Sequence, residues 1–236
     1  MKYREMFQGE VATSYSSLFE VNSTEGQLAK IEKELCLEIL KEEKLIENFT
    51  HLDFACGTGR ILGYFETISR EQFGFDISPD MLNIAKDFSK AKLLLPSEYY
   101  KVFDTLKTSD VVVITAFRFL LNAPSRDLED FLQFCKKILD SQERVYLMIN
   151  NHGNKFSFRS LTLGILLRKG NKMSERELRR KLAPLNFIIY KKISMQLVPT
   201  GILSRLPWLF QIEKKVSNRQ KFNFGINQIF FGKISK

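Results

Sequence analysis

Asp53, Gly57, Gly59 and Asp76 are the residues of this 236-residue chain whose types and spacing could do chemistry. Asp53 lies at the end of a short apolar stretch, the turn Ala55-Cys56-Gly57-Thr58-Gly59 follows, and a helix is expected from Arg60. A second apolar stretch, Phe73-Gly74-Phe75, ends in another acid, Asp76, 17 residues after Gly59. Open parallel sheets build nucleoside pockets from such parts. Backbone N–H groups at a helix start face the ligand, and a carboxylate on the next strand tip takes a ribose hydroxyl pair. The dinucleotide fingerprint G-x-G-x-x-G does not fit, because its third glycine falls on Leu62 and Gly63 comes one residue late. Gly57 and Gly59 alone would also suit an ordinary turn. The two acids at matched distances are what point to a ligand.

The run resembles motif I of the class I S-adenosylmethionine-dependent methyltransferases, of the small-molecule type and similar to methyltransferase domains 11 and 25. In its acidic-x-Gly-x-Gly-x-Gly pattern, Asp53, Ala55, Gly57 and Gly59 take the four positions, with Ala55 in place of the first glycine. Asp76 stands where the family carries its ribose-binding acid. The segment from Ala12 to Phe19, with Tyr15 inside it, is similar to the one preceding the fold in many small-molecule methyltransferases, and Ile114 to Asn122 resembles the strand-four motif. The resemblance implies S-adenosyl-L-methionine as cofactor. Its methionine part would lie near Asp53, Ala55 and Phe117, with Cys56 and Thr58 in the same loop. Its ribose would lie on Asp76, and its adenine against Ile77 with Met81 nearby. The acid that often follows strand three is not evident; Glu98 and Asp104 are stand-ins. No metal is implied.

A sulfonium methyl is already electrophilic, so holding donor and acceptor in line supplies much of the rate. Deprotonating the acceptor would add a general base. His152, in the polar cluster Asn150-Asn151-His152-Gly153-Asn154 at a strand end, and Tyr15 are the candidates. His152 also reads as a loop histidine making ordinary hydrogen bonds. Arg118 reads either as a site for an acidic substrate or as the partner of a surface carboxylate. No Asn/Asp-Pro-Pro-aromatic run of the amino-methylating nucleic-acid enzymes is present, and Cys135, mid-helix, lacks the Pro-Cys context of cytosine C5 enzymes.

The elements that must position these residues alternate. Strands are expected at Phe49 to Phe54, Gln72 to Phe75, Ala91 to Leu95, Asp110 to Thr115, Arg144 to Asn150, Phe187 to Val198 and Asn227 to Ile234. Helices are expected from Thr24 (with Gln27 as a capping box) to Glu47, Arg60 to Ser69, Ser78 to Lys90, Ser125 to Leu139, and Ser174 (with Glu177) to Leu185. The implied fold is α/β: a Rossmann-like, seven-stranded, mostly parallel sheet with an antiparallel last strand and helices on both faces. One domain is expected over residues 1–236. Within it, 1–48 form an N-terminal lid, 49–150 the cofactor-binding core, and 151–236 a basic substrate-side half.

A hydrophobic content of 44% with 21 phenylalanines suffices for a sizeable core. No apolar run reaches the ~18 residues of a membrane span, and Met1 to Glu5 lacks a signal-peptide core. Cys36, Cys56 and Cys135 are too few and scattered for a disulfide framework or metal site, so a reducing cytoplasm is the expected setting. Charge is divided. Residues 1–150 hold 18 Lys/Arg against 24 Asp/Glu, and residues 151–236 hold 18 against 3, a net +15. That half is expected to meet something acidic, or simply to be a solvated surface. Two apolar stretches edged by cations, Phe156 to Lys169 and Leu206 to Lys215, suit an amphiphilic anionic substrate or a peripheral membrane contact, or else ordinary helices covering the sheet. The expected function is methyl transfer to a small or lipid-linked acceptor, anionic ones included. The alternatives are an RNA methyltransferase, which would bind nucleic acid, and a non-catalytic cofactor-binding partner protein.

Overall fold

Alternating apolar strands and amphipathic helices assemble, in the computed structural model, into one seven-stranded sheet with the order β3-β2-β1-β4-β5-β7-β6. The structure describes residues 9–20, 22–46, 49–157, 160, 171–217 and 224–236, without the side chains of Thr13, Tyr15 and Ser16. The strands are β1 (Thr50–Phe54), β2 (Glu71–Phe75), β3 (Lys92–Leu94), β4 (Val112–Ala116), β5 (Val145–Asn151), β6 (Ile188–Met195) and β7 (Asn227–Lys233). β1 to β5 pair in parallel, and β7 runs antiparallel to both of its neighbours, β5 and β6. The expected fold class is therefore present, with strand limits within one to three residues of the sequence reading.

The described helices are α1 (Glu10–Ser17), α2 (Thr24–Glu42), α3 (Arg60–Phe65), α4 (Pro79–Phe88), α5 (Phe103–Leu106), α6 (Ser125–Ser141), α7 (Glu175–Leu182), α8 (Thr200–Leu203) and α9 (Leu209–Ser217). They cover both faces of the sheet. On one face, Phe131, Phe134, Cys135 and Ile138 of α6, spaced i, i+3, i+4, i+7, pack with Leu178 and Leu182 of α7 against Leu52, Phe73, Ile114 and Leu147. On the other, Leu28, Ile31, Leu35 and Ile39 of α2 meet Phe65, Val113, Met148 and Phe231. Each large side chain so buried contributes about 1.5–3 kcal/mol.

Capping differs from the sequence reading in two places. Ser23, not Thr24, caps α2, accepting from the Gly26 N–H. Ser125 is the first residue of α6 rather than its cap; Pro124 precedes it with no side-chain bond, since φ fixed by proline already shapes the entry. The other starts hold: Ser78 caps α4 with Pro79 at its first position, and Ser174 and Glu177 form a reciprocal capping box on α7. α3 is shorter than expected, ending at Phe65 in a turn where Ile68 and Ser69 N–H both donate to the Phe65 carbonyl.

Candidate active site

The turn after β1 takes a left-handed backbone at every second residue: Ala55 (φ 57°), Gly57 (φ 54°) and Gly59 (φ 82°). That alternation accounts for a motif with glycine at every second position. Gly57 and Gly59 adopt it freely, whereas Ala55 bears a Cβ in a region that costs an L-residue roughly 1 kcal/mol. The turn is pinned from outside. The Cys56 N–H donates to the Phe75 carbonyl (2.9 Å), and the Gly57 N–H donates to Asp76 Oδ2 (2.9 Å). Asp76 Oδ1 accepts from the Ser78 N–H (2.9 Å), so one carboxylate joins the turn to the start of α4. Burial raises Asp76 above the usual carboxylate range, against the pull of these N–H donors. Its four lone-pair sites outnumber the N–H groups of Gly57, Ser78 and Ile77 that draw on them, so a hydroxyl can still bond there.

Close packing between α3 and the sheet, the task of the third glycine in a dinucleotide fold, is met from the strand side. A Cβ on Gly74 of β2 would lie 2.7 Å from Leu62 Cδ1 and 3.0 Å from Cys56 Sγ. Leu62 can therefore occupy the position a glycine holds elsewhere.

A cleft of about 460 Å³ opens at the C-terminal ends of β1, β2 and β4, the end where α/β sheets bind ligands. Ala55, Gly57, Asp76, Ile77, Met81 and Phe117 all line it. Asp53, Cys56, Thr58 and Gly59 stand behind its wall: Asp53 and Thr58 are buried, Gly59 packs on Ala85, and Cys56 sits with Leu62 and Leu82 in a small apolar cluster. Burial pushes the Cys56 thiol well up, so it stays protonated and inert as a nucleophile. Glu98 and Asp104 do not reach the cleft. Glu98 accepts from the Leu95 N–H and pairs with Lys101, and Asp104 pairs with Lys107 at the surface. The residues that do close the cleft on that side are Leu95, Pro96 and Ser97, with Asp127 and Asp130 of α6 facing them. The acidic first turns of a helix distant in sequence gave no motif by which to find them.

Asp53 ends a buried hydrogen-bonded chain that crosses three strands. The parallel register sets Asp53 beside Thr115 and His51 beside Gln72. Gln72 Nε2 meets the Leu62 carbonyl (3.0 Å) and His51 Nδ1 (3.0 Å). A carbonyl only accepts, so the amide nitrogen donates to both. Burial drops His51 to about 3, leaving a neutral ring whose Nε2–H donates to Thr115 Oγ1 (2.8 Å). The Thr115 hydroxyl then donates to Asp53 Oδ1 (2.6 Å). Asp53 Oδ2, buried, has no protein partner. Burial is the main reason that Asp53 sits up at about 7; Thr115 and Arg60 pull it down, and Asp76 pushes it up. A buried acceptor in want of a donor, a turn with backbone exposed to the cleft and a carboxylate at the next strand tip together fit an amino-acid nucleoside such as S-adenosylmethionine.

At the far lip, Arg118 also has a left-handed backbone (φ 57°), and its N–H donates to Asn150 Oδ1 (2.5 Å). Its guanidinium lies over the Phe19 ring (4.9 Å) and approaches Glu25 at 3.4 Å. Of the two readings of Arg118, the carboxylate contact is present and leaves the residue on the cleft wall. His152 lies outside the cleft lining. Its Nε2 is 3.4 Å from Asn122 Nδ2, and its buried Nδ1 has no protein partner. Burial and the nearby Arg118 lower it to about 4. Tyr15 falls within α1, but its side chain lies outside the described residues, as do most of the stretch 158–169 and residues 218–223. Among the described residues no group of His, Cys, Asp and Glu could hold a metal, and no helix is long and apolar enough to cross a membrane.

Residues 52–147, which span the strands and turns that build this cleft, match the model of the Methyltransferase domain family. A comparison with curated proteins found no match. Among solved structures, magnesium protoporphyrin IX methyltransferase from Synechocystis PCC 6803 with bound SAH is similar at 13% identity, over 99% of this chain and 98% of that one (TM-score 0.61). An S-adenosylmethionine-dependent methyltransferase from Clostridium acetobutylicum ATCC 824 is 14% identical over 96% and 98% of the two chains (TM-score 0.55). A SAM-dependent methyltransferase from Anabaena variabilis ATCC 29413 is 15% identical over 87% and 84% (TM-score 0.52). At such identities these likenesses concern the fold. Residues 52–147 thus carry a Methyltransferase domain, set in a sheet of the fold that S-adenosylmethionine-dependent methyltransferases have.

Proposed function

We propose that the cleft holds the cofactor ribose on Asp76, its adenine between Ile77 and Met81, and its methionine end beside Ala55, Gly57 and Phe117. Cys56, Thr58 and Gly59 shape that turn from behind. The methyl acceptor is a small or lipid-linked molecule carrying a negative charge. The observation that carries the cofactor assignment is the Asp76 carboxylate, held at the cleft wall by the Gly57 and Ser78 N–H groups with lone pairs to spare. The acceptor assignment rests on Arg118 at the lip and on the net +15 of residues 151–236.

The bound cofactor supplies an electrophilic methyl group on a sulfonium. What the chain adds is mainly position: a rigid turn, a buried carboxylate, and an acceptor guided by Arg118. His152 and Tyr15 are assigned to the acceptor proton. His152 is neutral at pH 7, the state from which a base works, but a base brought down to about 4 adds little by abstraction. In-line placement therefore carries most of the rate.

Calorimetry with S-adenosylhomocysteine tests the cofactor part: wild type binds, and Asp76→Ala loses at least about tenfold in affinity, the worth of one charge-assisted hydroxyl contact. Undiminished binding by that variant would overturn the ribose assignment. For the acceptor, isotope-labelled donor is offered with anionic lipid-linked extracts, soluble carboxylates and RNA in parallel. Label in RNA alone would refute the reading.

A further inference from the structure

The segment of α8 and α9 carries an apolar face that no described part of the chain covers. Ile202 (46% exposed) on α8, Leu206 (43%) and Trp208 (61%) on the turns that follow it, and Ile212 (43%) on α9 are all open to solvent within eleven residues. The turns are continuous: the Leu206 N–H donates to the Ile202 carbonyl, Leu209 to Leu206, and Gln211 to Trp208. The opposite side of α9 faces inward. Phe210, Glu213 and Ser217 are buried, and Phe210 packs with Ile31 and Phe65 of the second core.

The charges of this segment are sorted as well. Its one acid, Glu213, is 1% exposed and is used inside, where its carboxylate accepts from the Leu197 and Val198 N–H groups (3.0 and 3.1 Å) and from the Ser217 hydroxyl. Lys214 is tied to Glu34 of α2 (2.7 Å). Arg205 and Lys215, exposed beside the apolar residues, make no ion pair among the described residues. The exposed side chains of the segment are therefore apolar, cationic or, at Ser204 and Gln211, uncharged polar, with no exposed acid among them. Four side chains fall short of the ~800 Å² per partner that a stable protein interface buries. They suit shallow insertion, with a tryptophan at the level of the headgroups and cations against anionic lipid.

We infer that Ile202, Leu206, Trp208 and Ile212, flanked by Arg205 and Lys215, dock the enzyme on an anionic membrane surface. The inference goes beyond the methyl-transfer reading and does not depend on which acceptor is methylated. Docking would set the enzyme at the surface on which a lipid-linked acceptor is presented.

Trp208 is the single tryptophan of the chain, so intrinsic emission reads this face alone. The full chain is titrated with vesicles of phosphatidylcholine, or of an equimolar mixture with phosphatidylglycerol, and co-sedimentation is measured alongside. Expected are a blue shift and sedimentation with the anionic vesicles, both reversed by salt, and neither with phosphatidylcholine alone. Leu206→Ser with Ile212→Ser lowers vesicle affinity about tenfold, and Arg205→Gln or Lys215→Gln lowers it about fivefold each. S-adenosylhomocysteine binding stays as in wild type, which reports that the variants fold and keeps this test separate from that of the cleft. The inference is overturned by absence of a shift with anionic vesicles at low salt, by wild-type vesicle affinity in the double serine variant, or by a shift that tracks self-association or RNA addition instead.

Discussion

Lowering the pH from about 8 to about 6 is expected to weaken S-adenosylhomocysteine binding by an amount set chiefly by Asp53. Its Oδ1 is occupied by Thr115, and its Oδ2, buried behind the cleft wall, has no protein partner, so its charge is left for a cationic group of the ligand, such as an ammonium in the cleft, to offset across that wall. Only the ionised form attracts it. With the group at about 7 in the free protein, protons compete with the ligand. The dissociation constant then rises ~elevenfold at one unit below that value and ~100-fold at two units, and is flat above ~pH 8. Calorimetry across this range, in buffers of different ionisation enthalpy, also counts the proton released on binding. Asp53→Asn keeps the shape and removes the titration, leaving only the share that Asp76, itself raised by burial, contributes. An affinity that does not change between these pH values, or the same slope in Asp53→Asn, would refute the argument.

The same linkage acts on the stability of the fold. A carboxylate raised by burial costs the fold stability once it ionises, so the ligand-free protein loses stability as pH rises from about 4 through about 7. Asp53→Asn should therefore melt higher than wild type near pH 8, by the order of a few kcal/mol, with the gap closing toward pH 4; equal melting curves at both ends would contradict this. Ala55→Gly relieves a left-handed Cβ and is expected to raise stability by about 0.5–1 kcal/mol in urea titration, whereas a loss would show that Ala55 is not strained. Glu213→Ala leaves the part-buried N–H groups of Leu197 and Val198 without their acceptor. It is expected to cost about 2–3 kcal/mol in the same assay.

Much of the fold could be read from local pattern. β4 is continuously apolar and β-branched, Ser78-Pro79-Asp80 announces a helix start, and Ser174 with Glu177 closes a capping box in the structure as it does on paper. Six of the ten cofactor residues expected from the motif line one cleft, because a turn of fixed length between a strand and a helix leaves its backbone few places to go. What could not be read depends on register between strands far apart in sequence. The proton order from Gln72 through His51 and Thr115 to Asp53 exists only because β1 lies between β2 and β4 at a particular offset. Asp127 and Asp130 come to the cleft through the docking of α6 on the sheet, which no local spacing encodes. Likewise, periodicity shows that α9 is amphipathic but not that its acid faces inward and its tryptophan outward.

The place of β7 between β5 and β6 has a consequence for how the chain is made. Among the described residues β6 pairs with β7 alone, so as synthesis proceeds it emerges more than thirty residues before the strand that satisfies its ladder there. Until then β5 is an open edge too, and Ile193 and Met195 of β6 have no Ile229 or Phe231 to meet. The five parallel strands can close around the cofactor cleft first, while the substrate-side half waits for its last strand. A nascent chain halted in that interval would present a long unpaired edge next to a strongly basic segment. It is during translation, more than in the finished fold, that this protein is most exposed to wrong partners.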